Sequence, residues 1–187
     1  MTAGTDTEER LLRLVIQGDH TAMRAVYTTY VRYLTAVCSR YIPNDEDAKD
    51  VLQDSFLRIF SSIATFSYRG PGSLKAWMTR ITVNEALKHL QRECRISFVE
   101  LSDKDYEQPD TEPDMNNMPP QEVFKLIRSL PDGYRTIFNL YVIEEHTHKE
   151  IARMLNIKES TSASQLHRAK NLLAAKIRQY QANKSLS

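Results

Sequence analysis

Two sets of side chains in this 187-residue chain have the types and spacing to bind a polyanion. Between 68 and 96, Arg69, Lys75, Arg80, Lys88, Arg92 and Arg95 are opposed only by Glu85 and Glu93, a net charge of +4. Asn84 lies among them, and the aromatic Phe66 and Tyr68 stand just before. Cationic groups neutralise phosphates, while aromatic rings stack on unpaired bases. The second set is Lys158, Thr161, Ser164, Gln165, His167, Arg168 and Lys170, flanked by Lys176 and Arg178. Gln and Arg can pair bidentately with adenine and guanine edges. Thr161 and Ser164, near a helix start, suit phosphate contacts. A third set has the opposite sign. Asp47, Asp50, Gln53 and Asp54 share a helix face with Leu57, beside Arg58. A large apolar side chain among carboxylates hints at a docking surface for a basic protein partner.

Catalytic constellations are harder to assemble. His146-Thr147-His148 flanks an expected helix start without further ligands at zinc-like spacing, so these histidines read as surface or capping residues. Asp50 and Asp54 are four residues apart, but without a third ligand they read as a solvated or docking patch. Gly70-Pro71-Gly72 precedes no strand-to-helix crossover, and no phosphate-cradling loop or dinucleotide fingerprint is present. No enzyme activity, cofactor or metal is expected.

The elements that must position these groups are all helical. Ala48, Val51, Leu52, Ser55, Phe56 and Ile59 recur at three- and four-residue steps and line the face opposite the acidic one. Leu74, Trp77, Met78 and Ile81 form a buried stripe on a helix that Ser73 is expected to cap. Its outer face is expected to carry Lys75, Thr79, Arg80, Asn84, Lys88, His89 and Arg92. Upstream, a short helix over 8–17 with Leu11, Leu12, Val15 and Ile16 inward should end at Gly18. Asp19 should cap the next helix, which runs to about Tyr41. Tyr27, Tyr30, Tyr33 and Tyr41 suggest a base-stacking ladder, but their spacing also fits a core-facing stripe, which is the reading adopted. Pro43-Asn44-Asp45 breaks that helix.

Charge divides the chain further. It runs −2 over 1–67, +4 over 68–96, −6 over 97–118, 0 over 119–157 and +5 over 158–187, within a total of +1. The stretch 97–120 is rich in Pro, Asp and Glu and poor in apolar residues, which predicts a flexible acidic linker. Beyond it, Val123, Phe124, Ile127 and Leu130 form one helical stripe. Thr147 and Glu150 have capping-box spacing at the start of a short helix, Asn156 fits a left-handed turn, and Ser160 is expected to cap a last helix. A short helix, a tight turn and a second helix make up a helix-turn-helix pattern. The fold class expected is all-α, with small helical domains over 1–96 and 121–187 joined by the 97–120 linker. The polar, acidic N-terminus lacks an apolar signal core, and no apolar run approaches the roughly 20 residues of a membrane span, so an intracellular protein is expected. Cys38 and Cys94 are expected to be buried or partly buried thiols in a reducing compartment, with a regulatory disulfide as the alternative.

Asp47-Ala48-Lys49-Asp50-Val51-Leu52-Gln53-Asp54-Ser55-Phe56, followed by Leu74-Lys75-Ala76-Trp77-Met78-Thr79-Arg80-Ile81-Thr82-Val83-Asn84, resembles region 2 of bacterial RNA polymerase sigma factors of the extracytoplasmic-function (ECF) type. Leu130-Pro131-Asp132-Gly133-Tyr134-Arg135 onward resembles region 4. The resemblance implies that Asp47, Asp50, Gln53, Asp54, Leu57 and Arg58 dock on the clamp helices of core RNA polymerase, with its flap as a further partner. It implies that the loop 66–73 receives a base flipped from the minus-ten element, with Phe66, Tyr68 and Arg69 in the loop. Lys75, Arg80, Asn84, Lys88 and Arg92 would hold the adjoining promoter DNA. The last helix would read the minus-thirty-five element, and the linker would thread the RNA exit channel. Control by an anti-sigma factor, of a kind often associated with the membrane, is also implied, without insertion of this chain into the membrane. So is a cytoplasmic, nucleoid-associated location. Where the family often has glycine, lysine and arginine, this chain has Ser160, Ala163 and Gln165, which implies a weaker phosphate grip there. The competing reading is a stand-alone helix-turn-helix regulator binding an operator as a dimer.

Overall fold

The computed structural model describes residues 3–93 and 118–185, with side chains over 8–93 and 118–184. Among these the structure is all-α. Most of the 97–120 stretch, together with Cys94 and Arg95, lies outside the described residues. The chain divides into two compact units, Met1–His89 and Leu90–Ser187.

In the first unit, α1 (Ala3–Ile16) starts earlier than the periodicity indicates. Ile16, expected inward, is 46% exposed, because the buried face is set by Leu12 and Val15. Gly18 adopts a left-handed φ of 84°, and the Asp19 carboxylate accepts from the Ala22 N–H at 2.9 Å to start α2 (His20–Tyr41). Asn44 caps α3 (Asp45–Ser62), accepting from Glu46 and Asp47 N–H, and three acids fill the first turn, where the helix dipole favours them. A 3-10 turn, Ile63–Thr65, leads through the loop 66–72 into α4 (Ser73–Arg92).

Ser73 does not cap α4. Its hydroxyl donates to the Gly70 carbonyl at 2.7 Å and accepts from the Arg69 N–H at 3.2 Å, folding the loop back on itself. Gly70 and Gly72 supply the positive φ values, 114° and 82°, that this fold-back requires. Val26, Leu34, Phe56, Ile59, Leu74 and Met78 form the core, with Trp77, Ile81 and Phe66 packed at its margin. Cys38 is fully buried, and desolvation pushes its thiol up to about 12.

In the second unit, α5 (Pro120–Arg128) and α6 (Asp132–Phe138) are followed by a single π-helical turn, Asn139–Ile143. The Thr147–Glu150 capping box opens α7 (His148–Leu155), and Asn156 ends it at φ 54°, ψ 49°. α8 (Glu159–Ser185) packs on α5, α6 and α7. The Ser162 N–H bonds the Lys158 carbonyl, so Lys158 holds the cap position and Ser160 lies exposed in the first turn.

Candidate functional site

The acidic face comes first along the chain. Asp50, Gln53, Asp54, Leu57 and Arg58 all project from α3 into solvent, and Leu57 is 63% exposed. Asp47, one turn before Asp50, is half-buried. Its carboxylate lies 3.8 Å from His89 Nε2 on α4, which ties the start of the acidic face to the far end of the basic helix.

Three of the residues expected at the minus-ten element, Phe66, Arg69 and Arg80, meet at a hollow. A cavity of about 430 Å³ is lined by Thr65, Phe66, Ser67, Arg69, Ser73, Ala76, Trp77 and Arg80. Phe66 and Trp77 form an aromatic wall, with ring centroids 5.1 Å apart. Arg69 and Arg80 are exposed and make no ion pair among the described residues, so two guanidinium groups are free to meet phosphate at this cavity. The rest of the outer face of α4 is more committed. Lys75 Nζ sits 4.0 Å from the Tyr33 ring centroid, and Lys88 pairs with Glu85 at 2.6 Å. Asn84 and Arg92 are exposed. Thr79, expected on this face, is buried: its hydroxyl lies 2.8 Å from the Lys75 carbonyl and 3.2 Å from the Tyr33 hydroxyl. Tyr68 does not line the cavity. Its hydroxyl donates to Glu8 at 3.4 Å.

Lys158, at the cap of α8, and Ser164, His167 and Lys170 on it are exposed, and Thr161 and Arg168 are partly so. His167 Nε2 accepts from the Asn171 amide at 3.2 Å, one turn on. Gln165 departs from expectation. It is 1% exposed, on the inward stripe with Ser162, Leu166 and Ala169, and its carbonyl oxygen finds no hydrogen-bond partner among the described residues. It is not on the outer face expected for it. His148 serves the turn: its Nδ1 lies 3.0 Å from the buried Ser162 hydroxyl, and its ring stacks on Tyr141 at 4.5 Å. Among the described residues, no three His, Cys, Asp or Glu side chains converge as a metal site.

Comparison with known proteins decides the family. The family model "Sigma-70 region 2" matches residues 26–96, and "Sigma-70, region 4" matches 121–173. The chain belongs to the sigma-70 family. Its relatives place it in the ECF group. It is 28% identical over 183 residues to the ECF RNA polymerase sigma-E factor of Haemophilus influenzae, covering 91% of this chain and 95% of that protein. It is 27% identical over 188 residues to the sigma-E factor of Escherichia coli K12, covering 91% and 94%. Among solved structures, CnrH in complex with the cytosolic domain of CnrY is similar at 19% identity and a TM-score of 0.46, over 90% of this chain and 95% of that one. As a family member, this sigma factor acts in transcription initiation.

One residue of this sigma factor escaped the sequence reading. Arg135 is only 1% exposed, yet it is well bonded. Nη1 donates to the Leu130 carbonyl at 2.7 Å and the Arg128 carbonyl at 3.3 Å, and Nη2 donates to Asp132. Burial pushes its pKa down, while the Asp132 hydrogen bond and charge oppose that shift. The guanidinium thereby satisfies carbonyls at the α5–α6 corner and fixes the entry to the helix-turn-helix. The Asp-x-x-Arg spacing within one helical turn was the available signal.

Proposed function

We propose that this chain is a non-catalytic specificity subunit, active in the cytoplasm, that brings core RNA polymerase to one class of promoters and helps open them. The first unit, with residues to about 96, serves as region 2. Residues 121–187 serve as region 4, and the acidic segment 97–120 occupies the path of nascent RNA.

In this reading the acidic face of α3 docks on the polymerase clamp. The loop and α4 capture a base of the minus-ten element, and the outer face of α8 reads the minus-thirty-five element. The observation that carries the proposal is the cavity walled by Phe66 and Trp77, with Arg69 and Arg80 making no ion pair among the described residues. Extruding a base costs a few kcal/mol, and stacking on an aromatic side chain returns about 1–3 kcal/mol per base. A walled aromatic site beside free cations meets both requirements, whereas a repressor that reads closed duplex needs neither.

The test is run-off transcription over genomic fragments with purified core RNA polymerase and this chain. Initiation from a defined set of fragments, absent without the chain, is the expected result. Tight binding of the chain alone to a symmetric operator, with no polymerase-dependent initiation, would replace this reading with that of a dimeric regulator.

A further inference from the structure

Tyr68 stands between Ser67 and Arg69, both of which line the cavity, while Tyr68 itself faces elsewhere. What it meets is a carboxylate 60 residues away in sequence. One oxygen of Glu8 accepts from the Tyr68 hydroxyl at 3.4 Å, and the other accepts from the Tyr30 hydroxyl of α2 at 3.0 Å. A single side chain of α1 thus joins a core helix to the recognition loop. Elsewhere the loop has little side-chain packing of its own: Gly70 and Gly72 hold positive φ, and an added Cβ at either would meet nothing within 4 Å. Its other restraints are the Ser73 fold-back and the Phe66–Trp77 contact. Burial and the Glu8 carboxylate push Tyr30 up to about 12, and the same influences raise Tyr68, so both hydroxyls remain donors at physiological pH.

We propose that Glu8 is a positioning residue for promoter opening: by anchoring Tyr68 to α2 it turns Ser67 and Arg69 toward the base-capturing cavity. This rests on the promoter-opening reading above. The anchor itself does not, because it has a readout that needs no DNA. Trp77 is the chain's single tryptophan and forms the cavity wall, so its emission reports the loop.

Glu8→Ala, Glu8→Gln and Tyr68→Phe are compared in the full-length chain, with thermal melts as a control for folding. Glu8→Ala and Tyr68→Phe should red-shift Trp77 emission and increase its quenching by acrylamide. Glu8→Gln keeps one acceptor oxygen and offers its NH2 to the other hydroxyl, which can accept instead, so the bridge should persist and the variant should lie nearer wild type than Glu8→Ala. In holoenzyme, on fork-junction DNA built from a fragment that the wild type transcribes, Glu8→Ala and Tyr68→Phe should each weaken binding about threefold to tenfold. The double variant should lose no more than either single one. Unchanged Trp77 emission in Glu8→Ala overturns the anchor, as does a Glu8→Gln variant as impaired as Glu8→Ala. A Trp77 shift without weaker fork binding overturns the link to base capture. If the wild type transcribes no fragment, the functional reading falls, and with it the promoter-opening role of Glu8; the emission result alone then decides the anchor.

Discussion

In the first unit the cationic groups edge a hollow, with Arg69 and Arg80 beside the Phe66–Trp77 wall, and a fold-back loop closes one side. In the second unit, α8 presents a convex row. Ser160, Ala163, Ser164 and His167 are exposed at three- and four-residue steps, and most are small. A hollow suits a base that has left its stack, because stacking needs a wall and water must be kept out. A slim convex helix suits an intact duplex, since small side chains let the backbone enter the major groove. The same polyanion therefore calls for opposite surface shapes, according to whether the strands are apart or together.

The largest expected effect is at the acidic face of α3, the proposed docking surface. Asp50→Arg combined with Asp54→Arg should abolish co-elution with core RNA polymerase and leave the helical circular dichroism unchanged, because both side chains are solvated. Transcription that survives this reversal would disconnect α3 from docking. The next effect separates the two surfaces. Arg168→Ala should weaken binding to a minus-thirty-five duplex by about 1–3 kcal/mol if Arg168 contacts a base edge. The same change should leave binding to a fork-junction fragment without that element unaltered, as titrations of the two DNAs would reveal.

A smaller effect is expected at the residue whose position most surprised the sequence reading. Gln165→Leu removes a buried carbonyl that has no partner among the described residues, so chemical denaturation should show a stability change within about 1 kcal/mol of wild type. Selectivity among minus-thirty-five sequences should be unchanged. A change in base preference would return Gln165 to the reading surface and blur the contrast between the two units.

The smallest effect concerns the turn that aims α8. Backbone and side-chain hydrogen bonds from Thr147 hold the Glu150 carboxyl below its usual pKa. A pKa lower in the folded than in the unfolded chain adds stability at neutral pH, and that increment is lost as pH falls through the carboxylate range. Melting temperatures of wild type and Glu150→Ala should therefore differ at pH 7 and converge in acid.

What was legible in the sequence was what depends on near neighbours. Gly18-Asp19, the Thr147–Glu150 box and Asn156 are each decided within a few residues, and each took the expected form. The acidic face of α3 was equally readable, because its apolar and polar periods agree. Gln165 and Thr79 were misplaced because their polar type outweighed helical phase: residue 165 follows Ser162 by three and precedes Ala169 by four, which puts it inward. Ser73 and Ser160 have the chemistry of caps but stand one and two positions too late, respectively, to act as such. Arg135 was passed over because a lone arginine is ordinarily solvated, and its burial depends on carbonyls that only the α5–α6 corner brings together. The cavity depends on the loop's fold-back, which no periodicity encodes.

Leu57 carries one more consequence. It is a large exposed apolar group on the same face as Asp50 and Asp54, so two free copies that tried to shelter it against each other would bring like charges together. On the docking proposal, the carboxylates that attract a cationic surface thus also discourage self-association. The side chain that would otherwise be a liability in a crowded cell stays available for the assembly that can neutralise its surroundings.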